Sequence, residues 1–264
     1  MAGRLGGKVA LVMGAGSSGP GWGNGKAVAA LFAAEGARVF AVDRDLAAVA
    51  LTREKIRHAG GVCSDAIADV SQSAEVADVV SRCVAEFGRI DILHNNVGIV
   101  APGSVTRVKE EDWEKLFAVN ARGQMLACRH VIPHMVEQGG GVIINVSTIA
   151  SVRHLGFSYS AYDASKAAVN AMTRGIAVDF GPKGIRANVI LVGMMDTPLA
   201  RGGIEAAGRA VDDVYTSYTK SIPLRRMGTA HDVARLALFL AGDDSAYITG
   251  AEIPVDGGLI ARSL

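Results

Sequence analysis

The chain has 264 residues, 50% of them hydrophobic, 20% charged and only 5% aromatic, with a formal net charge of +1. That length suffices for one α/β core, and so balanced a charge, with no basic stripe or acidic tail, argues against a nucleic-acid partner. Three cysteines (Cys63, Cys83, Cys128) and six scattered histidines lack metal-ligand spacing, so no metal is expected, and the sparse, odd cysteine count suits a reducing compartment.

Val9 to Met13 is a short apolar run that reads as a buried strand. It begins too early to leave room for a secretory leader, and no apolar run reaches about 18 residues, so a cytoplasmic protein without membrane contact is expected. The segment from Gly14 to Gly25 follows, then a helical run from Lys26 to Glu35, then a second strand from Arg38 to Val42 that stops at Asp43. Strand, glycine loop, helix, strand and acid is the order in which a glycine pattern means dinucleotide binding rather than a turn. Bare backbone approaches a pyrophosphate closely, and the helix start supplies unpaired N–H groups and a positive dipole. Gly14, Gly16 and Gly19 fit G-x-G-x-x-G literally, but Pro20 and Gly21 are poor helix starters, so the helix is placed after Gly23, Asn24 and Gly25. The loop is therefore long and contains an indole, Trp22.

A helix is expected from Asp45 to Ala59 and a strand from Cys63 to Val70, with Ser71 or Ser73 capping a helix to Phe87. Ile90 to His94 is a fourth strand, followed by Asn95, Asn96, Val97 and Gly98. A long helix over 109–136 opens on acids that suit its dipole and includes Asn120. A fifth strand, Val142 to Val146, ends at Ser147; a helix over 161–180 carries Tyr162 and Lys166; and Ile185 to Leu191 is a sixth strand. A helical flap over about 194–222, a helix capped by Thr229 and running to Ala241, and a strand from Ala251 to Val255 complete the chain. Such alternation predicts one doubly wound, mostly parallel sheet of seven strands with helices on both faces, in a single domain over 1–264.

Tyr162 and Lys166 are four apart and so lie on one helix face. Free tyrosine titrates near about 10 and lysine near about 10.4. An ammonium held beside a phenol favours phenolate, and a shift of about three units requires roughly 4 kcal/mol. The phenol is then a usable general base near neutral pH. Ser147, at the carboxyl end of a buried strand, lies where open α/β sheets bind ligands.

Together these residues resemble the short-chain dehydrogenase/reductase family over nearly the whole chain. The resemblance implies a Rossmann-type fold and a catalytic tetrad of Asn120, Ser147, Tyr162 and Lys166. It implies dinucleotide contacts from Gly14, Gly16, Ser17, Asn24, Gly25, Asp43, Arg44, Asp69, Val70, Asn96, Val97, Gly98, Gly193 and Thr197, besides Tyr162 and Lys166. Against the family's pattern the glycine loop carries about five inserted residues. The implied reaction is hydride transfer between NAD(H) and a ketone or secondary alcohol, with Tyr162 as acid–base, Ser147 on the substrate oxygen and Asn120 holding a relay water. Asp43, facing the ribose hydroxyls, argues for NAD over NADP. Ile99, Ile149, Met194 and Met195 are the expected substrate-side residues, and Arg153 and His154 lie between serine and tyrosine. A homotetramer or homodimer is expected. Tyr159, seven before Lys166, matches the spacing of enoyl-thioester reductases and supplies a rival reading; a non-catalytic dinucleotide sensor on the same fold is another.

Overall fold

The computed structural model describes residues 3–262. The apolar runs become strands β1 (Val9–Met13), β2 (Arg38–Asp43), β3 (Val62–Ile67), β4 (Ile92–Asn95), β5 (Gly141–Thr148) and β6 (Ile185–Val192). Two short strands, β7 (Met195–Asp196) and β8 (Gly228–Thr229), pair with each other, and β9 (Glu252–Val255) closes the main sheet. That sheet has seven strands in the order β3-β2-β1-β4-β5-β6-β9, with every pairing parallel. All five residues of β1 and seven of the eight in β5 are buried, the near-continuous apolar pattern of strands covered on both faces.

Helices α1 (Asn24–Ala34), α2 (Leu46–His58), α3 (Ser73–Phe87), α4 (Glu110–Leu116), α5 (Gly123–Glu137), α6 (Ser160–Phe180), α7 (Pro198–Ala206), α8 (Val211–Ser221) and α9 (Ala230–Ala241) connect them. Two large aliphatic cores result, besides a small third one. One packs α1 and α9 through Val28, Phe32, Val233 and Leu240; the other packs α3 and α5 through Val79, Cys83, Val131 and Met135. The order of strands reverses between β1 and β4, which puts the ligand crevice above their carboxyl ends.

Several boundaries differ from the sequence reading. The third strand ends at Ile67, because Asp69 turns back to accept from the Ser71 N–H and hydroxyl. Gln72, not a serine, occupies the N-cap of α3. The long helix is broken by a π-helical turn, Phe117–Arg122, which links α4 to α5 and holds Asn120. Such a turn rarely forms without a tertiary cause, and here Asn120 bonds outside its own helix.

Candidate active site

Asn120 is fully buried and bridges two elements. Its Oδ1 accepts from the Ile99 N–H at 2.8 Å, and its Nδ2 donates to the Ile99 carbonyl at 2.9 Å and to the Ser165 hydroxyl at 3.0 Å. Both amide hydrogens are thus committed, which leaves only one Oδ1 lone pair for a relay water.

Tyr162 and Lys166 lie one turn apart near the start of α6, and the Lys166 ammonium nitrogen donates to the Val146 carbonyl at 2.9 Å and the Val97 carbonyl at 3.5 Å. Burial pushes the Lys166 amine down to about 7 and the Tyr162 phenol up to about 12, the latter opposed by a hydrogen bond from Thr148. The expected lowering of the phenol by its lysine is absent from the protein alone: the amine is turned toward backbone carbonyls, and desolvation dominates both groups.

At Ser147 the hydroxyl is bonded within the protein. Its hydroxyl donates to the Lys166 carbonyl at 3.1 Å and contacts Ser151 Oγ at 3.3 Å, so it is spent on fixing α6 to β5. Thr148, the buried last residue of β5, is the hydroxyl side chain that opposes the rise of the Tyr162 phenol. Neighbouring residues of a strand face opposite ways, and Asn145, two before Ser147, likewise bonds α6 through Thr173 at 2.8 Å. That parity was the available signal.

Two of the expected substrate-side residues pack in buried clusters. Ile149 packs with Val189 and Leu191 in a small core, and Met195 lies in the core under α1 and α9, against Gly228. Met194 is half-buried and its carbonyl accepts from the Gly228 N–H. Arg153 is turned to the Ile260 carbonyl, and His154 accepts from the Gly156 N–H. Ile99 lines a cavity of about 250 Å³ with Arg44, Ala101, Asp112 and Lys115. Beside Tyr162 instead stands an aromatic wall: Tyr159 at 6.5 Å between ring centroids, Phe157 at 5.3 Å from Tyr159, and Tyr218 of α8 at 6.3 Å from Phe157.

The dinucleotide residues assemble at the crevice. Gly14, with φ of +78°, takes a conformation that favours glycine, and its carbonyl accepts from Asn96 Nδ2 at 3.0 Å. A Cβ on Gly25 would lie 1.9 Å from the Gly14 carbonyl oxygen, so no side chain fits there. Helix α1 has Gly23 at its N-cap, no capping side chain and no acid in its first turn, which leaves its leading N–H groups for an anion. The Asn24 Oδ1 is buried without a hydrogen-bond partner among the described residues. Asp43 closes β2 with its carboxylate accepting from Gly16 N–H at 2.9 Å and Asp45 N–H at 3.2 Å. Ser17 donates to the Gly19 carbonyl rather than toward the crevice. Asp69 is exposed and Val70 buried against Gly123; a Cβ on Gly98 would meet Lys166 Nζ at 3.0 Å. Gly193 packs on Asp256, and Thr197 caps α7. A bare loop, an uncapped helix start and an acid beside it are what a dinucleotide diphosphate and ribose need, so the residues fit that group.

The comparisons with known proteins agree. The family model described as enoyl-(acyl carrier protein) reductase matches residues 20–260. The 2-(R)-hydroxypropyl-CoM dehydrogenase of Xanthobacter autotrophicus is 37% identical over 261 residues, covering 96% of this chain and 99% of its own. The chain belongs to the short-chain dehydrogenase/reductase family. Among solved structures, a short-chain dehydrogenase/reductase from Burkholderia xenovorans superposes with a TM-score of 0.97 at 44% identity, over 100% of both chains. A gluconate 5-dehydrogenase from Burkholderia cenocepacia, solved with NADP and tartrate, gives a TM-score of 0.88 at 31% identity over 98% of both. As a member of this family the chain is an oxidoreductase that uses a nicotinamide dinucleotide. Among the described residues no helix is long and apolar enough to cross a membrane, and no cluster of metal-ligating side chains occurs.

Proposed function

We propose that the protein transfers a hydride between NAD(H) and a ketone or secondary alcohol, with Tyr162 as general acid and base. The observation that carries this reading is the Tyr162 phenol one helical turn from the buried Lys166 amine, whose nitrogen is held at the Val97 and Val146 carbonyls, with Thr148 the hydroxyl side chain that opposes the rise of the phenol. When bound, the dinucleotide supplies or accepts the hydride, and in its oxidised form it adds positive charge. Tyr162 gives its proton to the carbonyl oxygen, or takes one from the alcohol. Thr148 donates to the same oxygen and carries part of its developing charge. Lys166 stands beside the phenol and, through Val97 and Val146, ties the crevice loop to α6 and β5. With the phenol raised to about 12, the protein alone holds Tyr162 in the form that protonates a carbonyl. The alcohol-oxidising direction needs phenolate and is favoured by alkaline pH.

Asp43 supports NAD(H) over NADP(H): its carboxylate is fixed at the end of β2 by two backbone N–H groups, where a 2′-phosphate meets like charge. The family description leaves an enoyl-thioester reductase in view, with Tyr159 as its acid. Tyr159 lies at the N-cap of α6, outside the helix and seven residues from Lys166, and packs on Phe157, whereas Tyr162 is one helical turn from Lys166, which favours the ketone reading. The exposed Val178 on α6 and Met125 on α5 suit burial between copies, and sedimentation is expected to show a tetramer or dimer. A panel of ketones, secondary alcohols and enoyl thioesters, followed by NADH and NADPH absorbance in both directions, tests the reaction. Turnover of ketones with NADH is expected; turnover of enoyl thioesters alone overturns the reading.

A further inference from the structure

The inserted residues of the glycine loop form a separate protrusion. A Cβ on Gly23 would lie 3.2 Å from the Gly16 carbonyl oxygen, so the two ends of the insertion meet and the backbone facing the crevice is little lengthened. From that neck, Ser17 to Trp22 loops outward, with Ser17 Oγ donating to the Gly19 carbonyl at 3.0 Å. Its outer part reaches helix α7: Cβ positions on Gly19 and Gly21 would lie 3.4 and 3.6 Å from Pro198. Gly21, at a φ of +112°, provides the turn. Trp22 folds back to the body of the protein. Its ring meets His231 of α9 edge-on at 4.9 Å, Lys55 of α2 stands 4.8 Å from it and Lys26 of α1 5.8 Å, and the indole packs on the core under α1 and α9.

We propose that Trp22 is a positioning residue that anchors this loop as a strap over the bound dinucleotide. The strap joins the mouth of the glycine loop to Pro198, the residue after Thr197, and these are the two places a dinucleotide lying in the crevice also joins. Glycines at 19 and 21 let the strap lie close to α7, and the indole, wedged among three helices, fixes its near end. The cofactor therefore leaves only when the strap lifts from Pro198, and Trp22 sets how readily it lifts. The contacts of the strap are to α1, α2, α7 and α9, so it governs release of the cofactor and not the hydride step.

The inference rests on dinucleotide binding, and the experiment separates the two. Release of NADH, or of NADPH if that binds instead, is followed by stopped-flow fluorescence on displacement, alongside single-turnover hydride transfer, for the parent, Trp22→Ala, Trp22→Phe, Pro198→Ala and the Trp22→Ala/Pro198→Ala pair. Trp22→Ala is expected to release the cofactor at least about tenfold faster, with hydride transfer within about threefold of the parent. Trp22→Phe restores most of the slow release, and the double variant gains little over Trp22→Ala because both changes free the same strap. Should Trp22→Ala not fold, Pro198→Ala alone decides, by faster or unchanged release. Release unchanged in a folded Trp22→Ala, or effects of the two single changes that simply multiply, overturns the strap. A parent that binds neither dinucleotide overturns the dinucleotide reading, and the strap with it.

Discussion

Replacing Thr148 by valine keeps the β-branched shape at the end of β5 and deletes one hydroxyl. That hydroxyl opposes the rise of the Tyr162 phenol and also accepts from the Ala150 N–H at 3.2 Å, capping the turn that follows β5. Loss of the cap costs about 1 kcal/mol of stability. Loss of a donor aimed at the reacting oxygen costs about 10²–10³ in kcat, or roughly 2.7–4 kcal/mol of barrier. Thr148→Ser, which retains the hydroxyl, is expected to keep most of the activity. Ser147→Ala removes the bond to the Lys166 carbonyl and is expected to lower stability by about 1 kcal/mol while kcat stays within about threefold. The assay is kcat on any accepted ketone, with thermal melting to confirm folding. A Ser147→Ala protein that is dead beside a Thr148→Val protein that is active refutes the placement of these hydroxyls.

Two further outcomes follow from buried or anchored charges. His94 is fully buried, neither ring nitrogen has a partner among the described residues, and burial pushes its imidazole from 6.5 down to about 3, so the unfolded chain binds the extra proton between those values and stability falls as pH drops below about 6.5. Denaturant melts of parent and His94→Leu are expected to diverge by about 2 kcal/mol between pH 7 and pH 5, and equal pH slopes contradict this. Asp43→Ser removes the acceptor of the Gly16 N–H and the like charge facing a 2′-phosphate, and is expected to shift the NADH-to-NADPH ratio of kcat/KM at least about tenfold toward NADPH. A parent that favours NADPH contradicts the role given to Asp43.

The sheet was legible because its central strands are covered on both faces and therefore read as apolar runs, and because Gly14 and Gly25 occupy places where little but glycine fits. Asn120, Tyr162 and Lys166 were legible through spacing and resemblance, and the structure brings them to one crevice. Ser147 and Thr148 were not separable by residue type, since both carry a hydroxyl; only the facing of the strand, and the bond from Ser147 to Lys166, decides between them. The π-helical turn at Phe117–Arg122 was invisible because its cause, the bonds from Asn120 to Ile99 and Ser165, is tertiary. Met195 and Ile149 pack in buried clusters, which residue type alone does not announce: apolar side chains next to a site fill cores as readily as they line cavities.

The central claim is that Tyr162 moves the proton. Tyr162→Phe keeps the ring and its edge-on contact with Tyr159 while deleting the acid–base group. The measurement is kcat of Tyr162→Phe and Tyr159→Phe on an accepted ketone, with NADH affinity by fluorescence titration. The account predicts a loss of at least about 10²–10⁴-fold for Tyr162→Phe with NADH binding retained, and a Tyr159→Phe protein that still turns over. A Tyr162→Phe protein within about threefold of the parent, beside an inactive Tyr159→Phe protein, contradicts it and gives the chemistry to Tyr159.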